Sequence, residues 1–168
     1  MNLQDDLAAL ADRYQSITAL LAHPDLHTLR PERSGWSAAG HLWHTEASAT
    51  SVLMAIARIV GGRGEAAEPD PQAIAVLAQG VFPPGRQAPE GVRPPADGVD
   101  GEALAAKLAR NAAAFARLEP AALGTVPTTL PHPALGPLTA PLWVRFARVH
   151  AAHHDTIAAG LLGVSPHG

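Results

Sequence analysis

Leu3, Leu7, Leu10, Tyr14, Ile17 and Leu21 recur at three- and four-residue steps. That spacing predicts one amphipathic helix of about twenty residues. The pattern stops at "HPDLHTLRPERSGW", where Pro24, Pro31 and Gly35 interrupt it. Ser34 or Ser37 is placed to cap a second helix, which runs through "SAAGHLWHTEASATSVLMAIARIV" until "GGRG" halts it. From about residue 61 to about residue 100 proline and glycine become dense. Only "DPQAIAVLAQG" there has the texture of a short helix. This stretch has too little apolar material for its own core, so it reads as a long crossover inside a single domain spanning 1–168.

A third helix follows in "DGEALAAKLARNAAAFARLEP", with Leu104, Leu108, Phe115 and Leu118 on one stripe and Pro120 past its end. After the irregular "ALGTVPTTLPHPALGP" comes a fourth helix, about Thr139 to Leu162, closed by Gly163. Pro141 fits its first turn, where a missing N–H costs little. No segment alternates convincingly as a strand, and there is no internal repeat. The expected architecture is all-α: a four-helix bundle with a long Pro/Gly-rich crossover between helices 2 and 3.

Composition narrows the function. A chain of 168 residues can bury a real core. Apolar residues at 47% argue against disorder, while only 4% aromatics and abundant alanine point to helices packed closely through small side chains. The formal charge is −3 with no basic block, so neither nucleic acid nor an anionic membrane is an expected partner. There is no cysteine, which excludes disulfides, protein thiolate catalysis and cysteine-based zinc sites. The N-terminus lacks the pattern of a signal peptide, and no apolar run approaches the ~20 residues that span a bilayer. A soluble, cytoplasmic protein is expected.

The chemistry concentrates in "RVHAAHHDTIAAGLLG", which carries His150, His153 and His154 in an otherwise apolar run. Helix positions four apart differ by about 40° in direction, so His150 and His154 project side by side. His153 lies about 60° off His150, on the other flank. Trp143, Phe146, Ala147, Ile157 and Leu161 share the direction of the pair, which marks it as the inward face. Imidazoles there need hydrogen-bond partners or a metal, because a buried unsatisfied polar group costs about 1–3 kcal/mol. Neutral imidazole is a good ligand for zinc, nickel, copper or iron, and the i, i+4 pair is a known helical device for binding one ion. A metal site, a core-satisfied pair and a surface pair all remain open at this point.

A third ligand would come from the second helix, which carries His41 and His44. His44 shares a stripe of small residues with Ser37, Gly40, Ser48, Ser51 and Ala55, whereas Leu42, Leu53, Ile56 and Val60 lie opposite. Periodicity does not decide which of these sides faces in. His23, His27 and His167 fall in loops or tails, and His132, in "PHPALG", reads as shaping the turn into the fourth helix.

"GWSAAGHLWHTEAS" resembles the Trp-Ser segment, with a histidine eight residues after the Trp, in the second helix of the DinB/YfiT-like superfamily of metalloenzymes. "HPALGPLTAPLWVRFARVHAAHH" resembles that family's His-Pro-x-x-Gly-x-Leu-Thr lead-in and closing His-x-x-x-His helix, and "VFPPGRQAPEGVRPP" resembles the proline-rich crossover of one branch. The resemblance touches most of the chain from about Ser34 onward. It implies a four-helix bundle with one divalent metal (Zn, Ni, Fe or Mn) held by His44, His150 and His154. It assigns no catalytic residue.

Two positions depart from the pattern. Many relatives carry Glu or Gln where this chain has Gly40, and Asp where it has Ala47. Glu46, Asp155 and His153 stand as substitutes for those polar groups, which orient ligands in metal sites. The activity implied is transfer of a low-molecular-weight thiol, held by the metal as thiolate, to an electrophile. The alternatives are a metal-assisted hydrolase, a non-catalytic metal- or small-molecule-binding bundle (a stress-associated member among them), and a plain helical association module. A small-molecule substrate is the expected partner, with a homodimer through the alanine-rich first or third helix as a further expectation.

Overall fold

The computed structural model describes residues 2–82 and 87–165; His167 and positions 83–86 of the proline-rich crossover lie outside the described residues. The helices begin where the local chemistry places a cap. Helix α1 (Leu3–Leu20) starts at Asn2, whose side chain accepts the Gln4 N–H at 3.0 Å. Helix α2 (Ala38–Arg58) starts at Ser37, whose hydroxyl accepts the Gly40 N–H. Ser34, the other candidate cap, accepts the Trp36 N–H instead. The "GGRG" segment ends α2 as a wide turn, Ile59–Arg63, in which Gly62 takes a φ of 74° that disfavours any other residue.

The crossover holds α3 (Pro71–Gln79), capped by Asp70 and closed by Gly80, and a single helical turn at Glu90–Val92. Asp100 then accepts the N–H groups of Glu102 and Ala103 to start α4 (Gly101–Ala116). A short α5 (Pro120–Gly124) lies where only irregular chain was expected. Last comes α6 (Ala140–Leu162), closed by Gly163.

The expectation of no strands is corrected by a small antiparallel hairpin, β1 (Thr129–His132) and β2 (Gly136–Thr139). Four-residue strands are too short to show alternation, and Pro131 pairs opposite Pro137 in the register. Prolines are tolerated because each strand of a two-stranded sheet is an edge. The ring of His132 accepts the N–H groups of Ala134 and Leu135, so this histidine shapes the turn as expected. Glu65 and Thr129 exchange two backbone hydrogen bonds of 2.9 Å, pinning the start of the crossover to the hairpin.

The chain is mostly helical, as expected. Helix α6 packs against α2 and α1, and α4 closes onto the same two helices. The core comprises Leu10 and Ile17 of α1, Leu42 and Ile56 of α2, Leu104 and Leu108 of α4, and Val144 and Val149 of α6, all fully buried. Each such side chain contributes about 1.5–3 kcal/mol relative to exposure. Ala38, Ala39, Ala158 and Ala159 are also completely buried, which is the close helix approach that the alanine content implied. On α4 the predicted stripe of Leu104, Leu108 and Phe115 faces inward, with Asn111 as a polar member. No helix among the described residues is long and apolar enough to cross a membrane.

Ion pairs fix α1 against α6. The fully buried Asp155 accepts from Arg13 Nη1 at 2.6 Å and from the Ser16 hydroxyl at 2.9 Å. Asp6, also buried, lies 2.6 Å from Arg145 Nε and 2.9 Å from Arg148 Nε. Removing one member of a buried pair strands the other. Asp155→Ala is therefore expected to lower stability in urea by about 2–3 kcal/mol, below the full buried-pair cost because Arg13 reaches solvent. Chemical unfolding with an unchanged midpoint would show that the pair is not holding α1.

Candidate metal centre

Four imidazoles from α2 and α6 meet at one place. His41 and His44 occupy the first two turns of α2, and His150 and His154 lie in the middle of α6. His44 and His154 are buried, at 5% and 8% exposure, and His150 is partly exposed. The sequence left open which way His44 faces; it faces in. Its Nε2 stands 3.1 Å from Nε2 of His150. The ring of His154 lies 4.5 Å from that of His150 and 4.6 Å from that of His44. His44, His150 and His154 each offer one ring nitrogen, all within 4.8 Å of one another. Nitrogens bound about 2.0–2.1 Å from a tetrahedral ion stand about 3.4 Å apart. The set is thus close enough to converge on one cation by small ring rotations.

The surroundings support that arrangement. The main-chain carbonyl of Val92 lies 2.6 Å from His44 Nδ1. A carbonyl can only accept, so Nδ1 carries the proton and Nε2 keeps its lone pair toward the cluster. His41 places Nδ1 3.0 Å from His154 Nδ1 and Nε2 2.7 Å from the Ser34 hydroxyl. The Trp36 ring packs against both His41 and His44, at 5.3 and 5.2 Å. A Cβ on Gly40 would stand 3.0 Å from Trp36 Cβ and 3.5 Å from Pro94 Cγ. Glycine here lets the Trp36 loop and the crossover close over this end of α2.

The sequence profile of the DinB superfamily matches residues 3–158. The chain belongs to the DinB superfamily. No curated protein and no solved structure matches it significantly.

In this DinB-superfamily chain two of the three residues read as substitutes for the absent polar groups are engaged elsewhere, and the third, His153, sits at the cluster's solvent edge with its ring 4.9 Å from that of His154. Asp155 turns to Arg13 and Ser16 on α1. Glu46 Oε1 accepts the Thr50 hydroxyl at 2.9 Å, and Asn111 Nδ2 donates to the Glu46 carbonyl at 3.1 Å. His153 is exposed, with Phe82 edge-on to it at 6.0 Å. His23 accepts the Asp25 N–H in its turn. The sequence reading missed the Val92 carbonyl and the Ser34 contact to His41. A main-chain acceptor carries no residue-type signal, and Ser34 was read only as a cap.

Burial dominates the electrostatics of the DinB histidines. It holds His154 well below its ordinary value, helped by the neighbouring His150, His44, His41 and His153. His150 is likewise lowered by burial, then by His44, His153 and His132. Burial lowers His44, opposed by its bond to the Val92 carbonyl. Burial and then His44 bring His41 down to about 4 from an ordinary 6.5. The folded state therefore keeps these rings neutral, ready to bind a cation.

The unfolded chain takes up protons that the folded metal-free chain refuses, so stability is full above the unfolded value and declines as pH falls from 6.5 towards about 4. Thermal melts of metal-free protein are expected to hold steady above about pH 7 and to drop markedly by about pH 5. A flat melting temperature across that window would contradict buried neutral histidines.

Proposed function

We propose that this chain is a divalent-metal-dependent enzyme that transfers a low-molecular-weight thiol to an electrophile, with His44, His150 and His154 holding the ion. The reading takes α1, α2, α4 and α6 as the four members of a bundle whose centre is this cluster. The observation that carries it is the donor set: three converging neutral imidazoles with no carboxylate among them. Neutral ligands leave the ion its full charge, and a zinc, nickel, iron or manganese ion bound there supplies a Lewis acid that lowers the pKa of a thiol or water it meets. The chain has no cysteine, so the nucleophilic sulfur arrives with the small co-substrate. Phe82 stands 6.1 Å from His150 and 5.9 Å from Phe146, giving the cluster an apolar wall for the electrophile.

Hydrolysis uses a water activated by the ion itself, and a general base beside the ion would assist it. Glu46 and Asp155, the carboxylates nearest the ligands in sequence, are committed to Thr50 and to Arg13 with Ser16. Neither of these two carboxylates is thus placed as that base, and hydrolysis by water on the ion stands as the second reading.

Metal analysis of protein purified without a histidine tag tests the ligand set. His150→Ala and His154→Ala are expected to lose most of the bound metal, while His153→Ala retains it; equal loss in all three would mean the wrong pair. Chelation is expected to lower the melting temperature, because a ligand that binds only the folded state stabilises it by mass action. Metal-loaded protein is expected to accelerate thiol consumption with an electrophile such as monochlorobimane. Metal retained without thiol loss would leave a binding protein rather than a transferase.

A further inference from the structure

We propose that His41 is a positioning residue that fixes the tautomer and ring orientation of His154, so that Nε2 of His154 faces the ion. The inference rests on the three-histidine reading above and adds a residue outside the ligand set. His41 Nδ1 and His154 Nδ1 are 3.0 Å apart, and a hydrogen bond between two imidazole nitrogens requires one proton between them. With Nδ1 of His154 engaged by His41, Nε2 is the nitrogen left for a cation, and binding there needs its lone pair. A neutral His154 then carries its proton on Nδ1 and donates to His41.

His41, being neutral and accepting at Nδ1, carries its own proton on Nε2. That nitrogen faces the Ser34 hydroxyl at 2.7 Å, which accepts. The same hydroxyl also accepts the Trp36 N–H at 3.2 Å, so Ser34 is held from two sides. Each ring proton has one place in the chain from His154 through His41 to Ser34. His41 is only 6% exposed and lies against the Trp36 ring, so water does not offer an easy substitute. The device parallels the one at His44, where the Val92 carbonyl takes the Nδ1 proton. At His154 the acceptor is a side chain, which mutation can remove.

The test uses Zn²⁺ and Co²⁺ alone, added to metal-free, tag-free protein. His41→Ala is expected to weaken Zn²⁺ binding by about 10- to 100-fold, the usual effect of losing a group that orients a ligand. His41→Asn, whose Oδ1 can accept where Nδ1 did, is expected to recover most of the affinity. The visible absorption band of the Co²⁺ complex is expected to match wild type in both, because the ligands themselves are unchanged. Ser34→Ala, which removes only the acceptor behind His41, is expected to weaken Zn²⁺ binding by a smaller, measurable factor, and it serves if His41→Ala folds poorly. Wild-type affinity in His41→Ala, or no recovery in His41→Asn, overturns the inference while the three-histidine site stands. An altered Co²⁺ band in both variants overturns it by making His41 a direct ligand. Failure of the wild type to bind Zn²⁺ overturns the site and His41 together.

Discussion

Imidazole rings enclosed between two packed helices have to be partnered, and that requirement organises this molecule. A polar group left unsatisfied in such a place costs about 1–3 kcal/mol, and several lie within one helical turn of each other. The partners come from the irregular parts of the chain. The turn at Glu90–Val92 lends a carbonyl to His44, and the loop before α2 lends a hydroxyl to His41. That turn and that loop are thereby both tied to α2. The crossover is part of the site's wall rather than a spacer.

Helix α1 governs how α6 is rotated. Adjacent residues on a helix point about 100° apart. With Asp155 bonded to Arg13 and Ser16 on α1, the preceding residue His154 is turned toward α2. A structural carboxylate thus sits beside a candidate ligand in sequence and faces away from it in space. Nearness in sequence suggested that Asp155 replaces a missing acid, and the helix geometry separates the two roles.

What the sequence made legible follows the physics of each signal. The start of α2 was readable because a serine such as Ser37 caps by side-chain chemistry that needs no tertiary context. The His150/His154 pair was readable because four-residue spacing fixes relative direction. The orientation of His44 was not readable from periodicity, since the first half of α2 is buried on nearly all sides, Leu42 and His44 alike. There the resemblance supplied what the helical period could not. The hairpin escaped notice because its two short strands contain proline and carry no alternation. Asn111 escaped because a polar residue on an apolar stripe looks like an interruption until its partner Glu46 is seen.

The contribution of Val92 is made by its peptide group and not by its side chain. Exchange of one amino acid for another at that position leaves the acceptor atom in place, whatever the new side chain is. A one-residue insertion or deletion between Glu90 and Pro94 would instead carry the oxygen away from its imidazole. In this stretch the count of residues matters more than their identity, so the crossover accommodates change in composition far better than change in length.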